Sequence, residues 1–216
     1  MIDLHTHTVF SDGVLIPSEL VRRAQHMGHS GIGITDHVDT SNIDFVVPNI
    51  VRAAQELNSV LTGIRVIPGV ELTHIPPEHI ARLAERARSL GAQIVLVHGE
   101  TIVEPVMPGT NLAALNAHVD ILAHPGLISE AEVRLAKEKG ILLEITTRSG
   151  HSLTNGHVAK LAKGIGAKMV VNTDTHTPSD LRDRERAMAV VRGAGLSEGD
   201  FNDMQQNAAR LCKIPT

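Results

Sequence analysis

Met1-Ile2-Asp3-Leu4-His5-Thr6-His7 begins as a short apolar run and stops at two histidines, with Asp12 just beyond. The same figure returns along the chain. Gly31-Ile32-Gly33-Ile34 ends in Thr35-Asp36-His37, and Arg65-Val66-Ile67-Pro68-Gly69-Val70 ends in Glu71. Gln93-Ile94-Val95-Leu96-Val97 stops at His98, and Val119-Asp120-Ile121-Leu122-Ala123 stops at His124. Lys168-Met169-Val170-Val171-Asn172-Thr173 leads into Asp174-Thr175-His176. Continuous apolar runs of this length read as parallel strands covered by helices on both faces. A seventh run, Gly140-Ile141-Leu142-Leu143-Glu144-Ile145-Thr146, joins the other six.

Amphipathic helical patterns fill the intervals, at about 17–28, 46–61, 77–90, 130–139, 153–165 and 181–194, with a last one near 200–212. Pro17 and Pro77 suit first helical positions, and Ser129-Glu130-Ala131-Glu132 and Ser197-Glu198-Gly199-Asp200 have capping-box spacing. Gly28, Gly91, Gly140 and Gly166 are stop signals. Seven strand-helix units without a long linker, a low-complexity stretch or a charge block describe one closed or nearly closed β/α barrel over residues 1–216. The alternative, an open doubly wound sheet, places ligand residues at a switch point between two strands and not at the ends of six. In a barrel, strand C-termini carry the active site, which is where every candidate ligand falls.

Composition narrows the function. The chain of 216 residues is 42% hydrophobic and carries a net charge of −4, which gives no general pull toward nucleic acid or an anionic membrane. No apolar stretch approaches the roughly 18 residues of a membrane span, and no secretory signal is visible. Cys212 is the only cysteine, which excludes an internal disulfide and fits a cytoplasmic location. Trp and Tyr are absent and only Phe10, Phe45 and Phe201 are aromatic, too few to stack on sugars or unpaired bases. Small polar substrates are expected, and nucleic acid is not.

The ligand-type residues can be grouped by what each can reach. His5 and His7, one residue apart on a strand, point to one face and can share an ion. Glu71 can give one oxygen to each of two ions about 3.5–4 Å apart. His98 and His124 complete the second ion and Asp174 returns to the first. Asp12, His37 and His176 make a third site with open positions for water. Mixed imidazole and carboxylate donors favour Zn, Mn or Fe over Mg or Ca. Three divalent ions bring +6 against −3 from Asp12, Glu71 and Asp174, so the loaded pocket attracts an anion such as a phosphoryl group.

His5-Thr6-His7-Thr8, Ser11-Asp12-Gly13, Thr35-Asp36-His37, Gly69-Val70-Glu71, His98-Gly99, Ala123-His124-Pro125 and Asp174-Thr175-His176 together resemble the motif series of the polymerase and histidinol phosphatase (PHP) family. The resemblance runs in order from residue 3 to residue 176. It implies a distorted seven-stranded β/α barrel, TIM-like in plan, whose trinuclear centre hydrolyses phosphate esters. It assigns His5, His7, Glu71 and Asp174 to the first ion, Glu71, His98 and His124 to the second, and Asp12, His37 and His176 to the third. Family members carry either His or Asp at position 12. The expected reaction is in-line attack on a small phosphomonoester by a metal-bridging hydroxide. Arg148, in Thr147-Arg148-Ser149-Gly150, is the expected outer phosphate clamp, and His176 or a water the proton donor.

Other residues carry weaker expectations. His26, His29, His74, His79, His118 and His157 lie in helical or loop patterns and are assigned no role. His151 follows the seventh run on the active-site face and stays open. Asp36 points away from the face of His37, so support of a ligand suits it better than ligation. Arg182 reads as part of a solvated helix face. Two other hydrolytic readings and one non-catalytic reading compete. An amidohydrolase uses the same His-x-His, two later histidines and a last-strand Asp, but has no use for Asp12, His37 and His176. A phosphodiesterase or exonuclease needs more basic and aromatic residues to track a strand. A metal-stabilised partner module would normally have lost ligands.

Overall fold

The computed structural model describes residues 1–214. Its strands are β1 (Ile2–Asp3), β2 (Gly31–Ile34), β3 (His37–Val38), β4 (Arg65–Leu72), β5 (Ile94–His98), β6 (Ile121–Ala123), β7 (Leu142–Thr146) and β8 (Met169–Asn172). All pair in parallel in the order β1-β2-β4-β5-β6-β7-β8, and β3 pairs with β4 above β2. β2 and β3 are therefore one stave interrupted at Thr35-Asp36, and the barrel has the seven staves expected. Closure between the first and last staves is thin. It rests on one parallel bridge, Thr6 to Thr175, on the Leu4 N–H donating to Asn172 Oδ1 at 2.9 Å, and on Asp3 accepting from the Thr173 N–H and hydroxyl.

Helices α1 (Pro17–His26), α2 (Ile43–Val60), α3 (Pro77–Ser89), α4 (Thr110–Leu115), α5 (Glu130–Lys139), α6 (Asn155–Ile165), α7 (Arg184–Gly193) and α8 (Glu198–Cys212) surround the strands. Pro17 and Pro77 occupy the first turns of α1 and α3, and both serine capping boxes form, at the starts of α5 and α8. A single-turn 3-10 segment, His151–Thr154, precedes α6, so the helix expected from residue 153 starts at Asn155. The short α4 was not expected: it spans six residues and opens at Gly109 without a side-chain cap, too little for a periodic pattern.

Side-chain alternation divides the core in two. Along β4, Val66, Val70 and Leu72 join the outer cluster that faces the helices, while Ile67 joins an inner one. The inner cluster is Ile2, Leu4, Ile67, Ile94, Leu96, Ile121, Leu142 and Val170, sealed by Ala208 and Ala209 of α8. The apolar plug thus occupies the N-terminal half of the barrel. Above it, the inward positions become polar, and the fully buried Glu144 and Asn172 hydrogen-bond to each other at 2.8 Å. That change places the polar site at the C-terminal mouth. No helix among the described residues is long and apolar enough to cross a membrane.

Candidate metal centre

All nine sequence-singled ligand candidates lie at the C-terminal mouth. His5 and His7 follow β1, Asp12 lies in the β1–α1 loop, His37 begins β3 and Glu71 sits near the end of β4. His98 ends β5, His124 is one residue past β6, and Asp174 and His176 follow β8. Glu71 lies at the middle of the group. Its Oε1 is 3.2 Å from His5 Nε2 and 3.6 Å from His124 Nε2, and its Oε2 is 2.6 Å from His37 Nδ1. Asp174 Oδ1 is 3.2 Å from His7 Nε2. Asp12 Oδ1 is 3.4 Å from His37 Nε2 and 3.2 Å from His176 Nε2. His7 is shared between the groups: its ring lies 4.1 Å from that of His37 and 4.2 Å from that of His176.

The backbone bends to present these groups. Of the four non-glycine residues with positive φ among those described, three line the site: His74 (52°), His124 (25°) and Asp174 (54°). L-residues adopt this region at a conformational cost, and such strain gathers where function demands it. Gly13 folds the Asp12 loop so tightly that a Cβ would run into the His7 carbonyl. Asp36 accepts hydrogen bonds from Thr8 N, Thr8 Oγ1 and Ser11 Oγ at 2.7–2.8 Å. It therefore braces the loop that carries Asp12, as its orientation in the sequence suggested.

The donor set fits metal ions. His5 Nε2, His7 Nε2, Glu71 Oε1 and Asp174 Oδ1 are buried and lack any aligned hydrogen-bond partner. Unpaired buried polar atoms are costly, and convergent ones of this chemistry are what a divalent cation satisfies. Three histidines hold their other ring nitrogen against an acceptor: His5 Nδ1 at 2.8 Å from Glu144 Oε1, His98 Nδ1 at 3.2 Å from the Gly99 carbonyl, and His176 Nδ1 at 3.0 Å from the Asp174 carbonyl. A carbonyl can only accept, so His98 and His176 carry a proton on Nδ1 and, when neutral, turn a lone pair inward from Nε2. Burial and the neighbouring His37 and His5 imidazoles hold His7 well below the ordinary histidine range, and a neutral imidazole is the ligating form. Burial pushes Glu71 up, but His5 and His37 outweigh it and keep the carboxylate ionised.

Several pocket residues escaped the sequence reading. Glu144 is buried beneath His5, and its signal was present, since it stands in the seventh apolar run as an acid on an inward position. His74 was assigned no role, yet it lines the pocket, with its Nε2 at 3.3 Å from Glu104 Oε2. Glu104, in the β5–α4 loop, also lies 3.1 Å from His98 Nε2 and 3.4 Å from His151 Nε2. Its hydrogen bond to His98 lowers its pKa to about 2. His151 is buried against His124, with rings stacked at 4.2 Å, and burial and His124 depress it to about 3. His29, also passed over, is buried far from the mouth, and its Nε2 meets the Arg182 carbonyl at 2.8 Å. Arg148 lines the pocket and pairs with Asp180 at 2.9 Å, whereas Arg182 is half-buried outside it, its guanidinium bonding the Ser179 carbonyl.

Comparison with known proteins places this geometry. Residues 3–151 match the PHP domain; Asp174 and His176 lie beyond that match and join it only in space. An uncharacterized protein of Methanocaldococcus jannaschii is 52% identical over 202 residues, covering 93% of each chain. A probable phosphatase of Thermoanaerobacter is 29% identical, covering 92% of this chain and 88% of its own. Among solved structures, a chain of archaeal ribonuclease P with mature tRNA has a TM-score of 0.72 at 16% identity, covering 98% of this chain and 90% of its own. Histidinol phosphate phosphatase from Lactococcus lactis, complexed with zinc, L-histidinol and phosphate, has a TM-score of 0.64 at 20% identity, covering 91% and 94%. At these identities the structural likenesses speak for the fold. A domain match over more than half of the chain establishes that it belongs to the PHP domain family.

Proposed function

We propose that the protein is a metal-dependent phosphoesterase acting on a small phosphomonoester, with three divalent transition-metal ions held by the nine residues. The observation that carries this reading is the convergence of unpartnered buried Nε2, Oε1 and Oδ1 atoms beneath an open polar pocket with Arg148 on its wall. His5, His7, Glu71 and Asp174 would hold the first ion, Glu71, His98 and His124 the second, and Asp12, His37 and His176 the third. Such ions, when bound, acidify water toward a pKa of about 7 and neutralise phosphoryl oxygens.

The chain's own groups supply the rest. The pocket, about 240 Å³, is smaller than the roughly 300 Å³ at the low end for drug-sized ligands, which suits a compact phosphoester. Arg148 offers a planar pair of N–H donors to a phosphoryl group, and Asp180 sets its direction. The Nδ1 proton of His176 is committed to the Asp174 carbonyl, and its Nε2 faces Asp12. The leaving oxygen then takes its proton from water and not from His176. The amidohydrolase reading leaves Asp12, His37 and His176 idle, although they form a compact group with His7.

Metal analysis of untreated protein, followed by a phosphatase panel with and without added Mn or Zn, tests the proposal. Close to three ions per chain and hydrolysis of a small phosphomonoester are expected, and Glu71→Ala should disturb two ions together. Protein that binds metal but hydrolyses no phosphate ester would overturn the enzymatic reading and favour a metal-stabilised partner module.

A further inference from the structure

Glu104 is an anomaly in a pocket meant for an anion. It reaches in from the β5–α4 loop with a side chain 37% exposed, and its carboxylate meets three imidazoles and no lysine or arginine among the described residues. Repulsion of phosphate would make it a liability there unless it holds a cation of its own.

The contacts with His98 and His151 have the spacing that an ion held there requires. His98 donates its Nδ1 proton to the Gly99 carbonyl, so Nε2 presents a lone pair in its neutral form. Glu104 Oε2 stands 3.1 Å from that nitrogen, where an ion can take the place of the proton the pair otherwise shares. His151 meets the same carboxylate from the other side. Its Nδ1 is engaged by Thr101 Oγ1 at 2.8 Å and its Nε2 lies 3.4 Å from Glu104 Oε1. Ligand atoms about 2.0–2.1 Å from an ion and about 90–110° apart, as in four- or five-coordinate shells, stand about 2.9–3.4 Å from one another. The two separations around Glu104 fall in that range. Nitrogen atoms of His98, His124 and His151 also lie within 4.8 Å of one another, all three rings being buried.

We propose that Glu104 and His151 are ligands of the second ion, bringing its shell to five beside Glu71, His98 and His124. The inference rests on the proposed metal centre and extends it. The second ion would then be the most histidine-rich of the three, and Glu104 would be its one ligand on the solvent side. His74, at 3.3 Å from the same Glu104 oxygen, would orient that carboxylate from outside.

Titration of the metal-free full chain with cobalt(II), followed by calorimetry and visible absorption, tests this without reference to activity. Glu104→Gln keeps the size of an exposed loop side chain, and His151→Gln keeps bulk in a buried position; circular dichroism melts establish that both fold. In each variant one of the three ions should bind at least about tenfold more weakly, since loss even of a group that merely supports a ligand costs about 10–100-fold. The absorption bands of that ion should shift, and the other two affinities should stay within about twofold of wild type. A variant that binds all three ions at wild-type strength overturns the assignment of its residue. Wild-type protein that takes up no cobalt overturns the metal centre itself, and this inference with it.

Discussion

Glu144 Oε1 accepts from His5 Nδ1 at 2.8 Å where both side chains are wholly buried, and Glu144 Oε2 takes the backbone N–H of His124 at 3.0 Å. One carboxylate on β7 thereby aims two candidate ligands on two other staves. Carboxylates in this position fix the ring orientation and raise ligand basicity. Glu144→Gln should lower metal affinity by about 10–100-fold without removing a ligand, measured by competition with a chelator. An unchanged affinity would show that packing alone orients His5.

Asp12, His37 and His176 form a separable group. His176→Ala is the cleaner probe, because His37 also touches Glu71 at 2.6 Å. Loss of one ion of three is expected, with phosphatase activity reduced by about 100-fold or more while the paired ions stay bound. Full activity after loss of that ion would return the chain to an amidohydrolase-like, two-metal scheme.

Arg148 should act on substrate binding. A charge-assisted hydrogen bond contributes about 1.5–3 kcal/mol, so Arg148→Ala should lower kcat/KM about 10- to 150-fold, mostly through KM. Metal content should not change. Arg148→Lys should recover part of the loss, because it keeps the charge and forfeits the planar fork. Asp180→Asn should shift KM in the same direction by less, since it removes the charged partner that sets the guanidinium. Wild-type kinetics in Arg148→Ala would leave the phosphate to the metal ions.

Acid stability should report on a pair far from the site. Lys163, Ser197 Oγ and the Ser197 backbone N–H donate to Asp200 and lower its pKa to about 2 from 3.8. A depressed folded pKa contributes stability that is present above the unfolded value and lost as pH falls through the folded one. Asp200→Asn should therefore lower the melting temperature at pH 7, and the gap should close between about pH 4 and pH 2. The effect should be small because the pair with Lys163 is solvent-screened. A gap independent of pH would assign it to the loss of cap geometry alone.

The barrel was legible because its strands are bounded. Ile94 to Val97 or Met169 to Val171 can only be buried on both faces, and such runs at helix-length intervals leave few architectures open. His5, Glu71, His98 and Asp174 were legible as a set because each stands where a run stops, and parallel strands bring all such stops to one end. Their common location follows from strand direction, which is a property of the linear order. Nothing comparable marks Glu104 or His74, and His151 is marked only by following the seventh run. They sit on loops or, for His151, on a single 3-10 turn, where no periodicity fixes the direction of a side chain, and His74 reaches the pocket rim with a positive φ. Glu104 faces His151 across a sequence separation that the pairing of β5 and β7 with β6 abolishes. α4 escaped for the same reason, being too short to carry a pattern. Residues on regular elements declare their facing in the order of the chain, whereas those on loops acquire it from contacts that exist after the staves have closed.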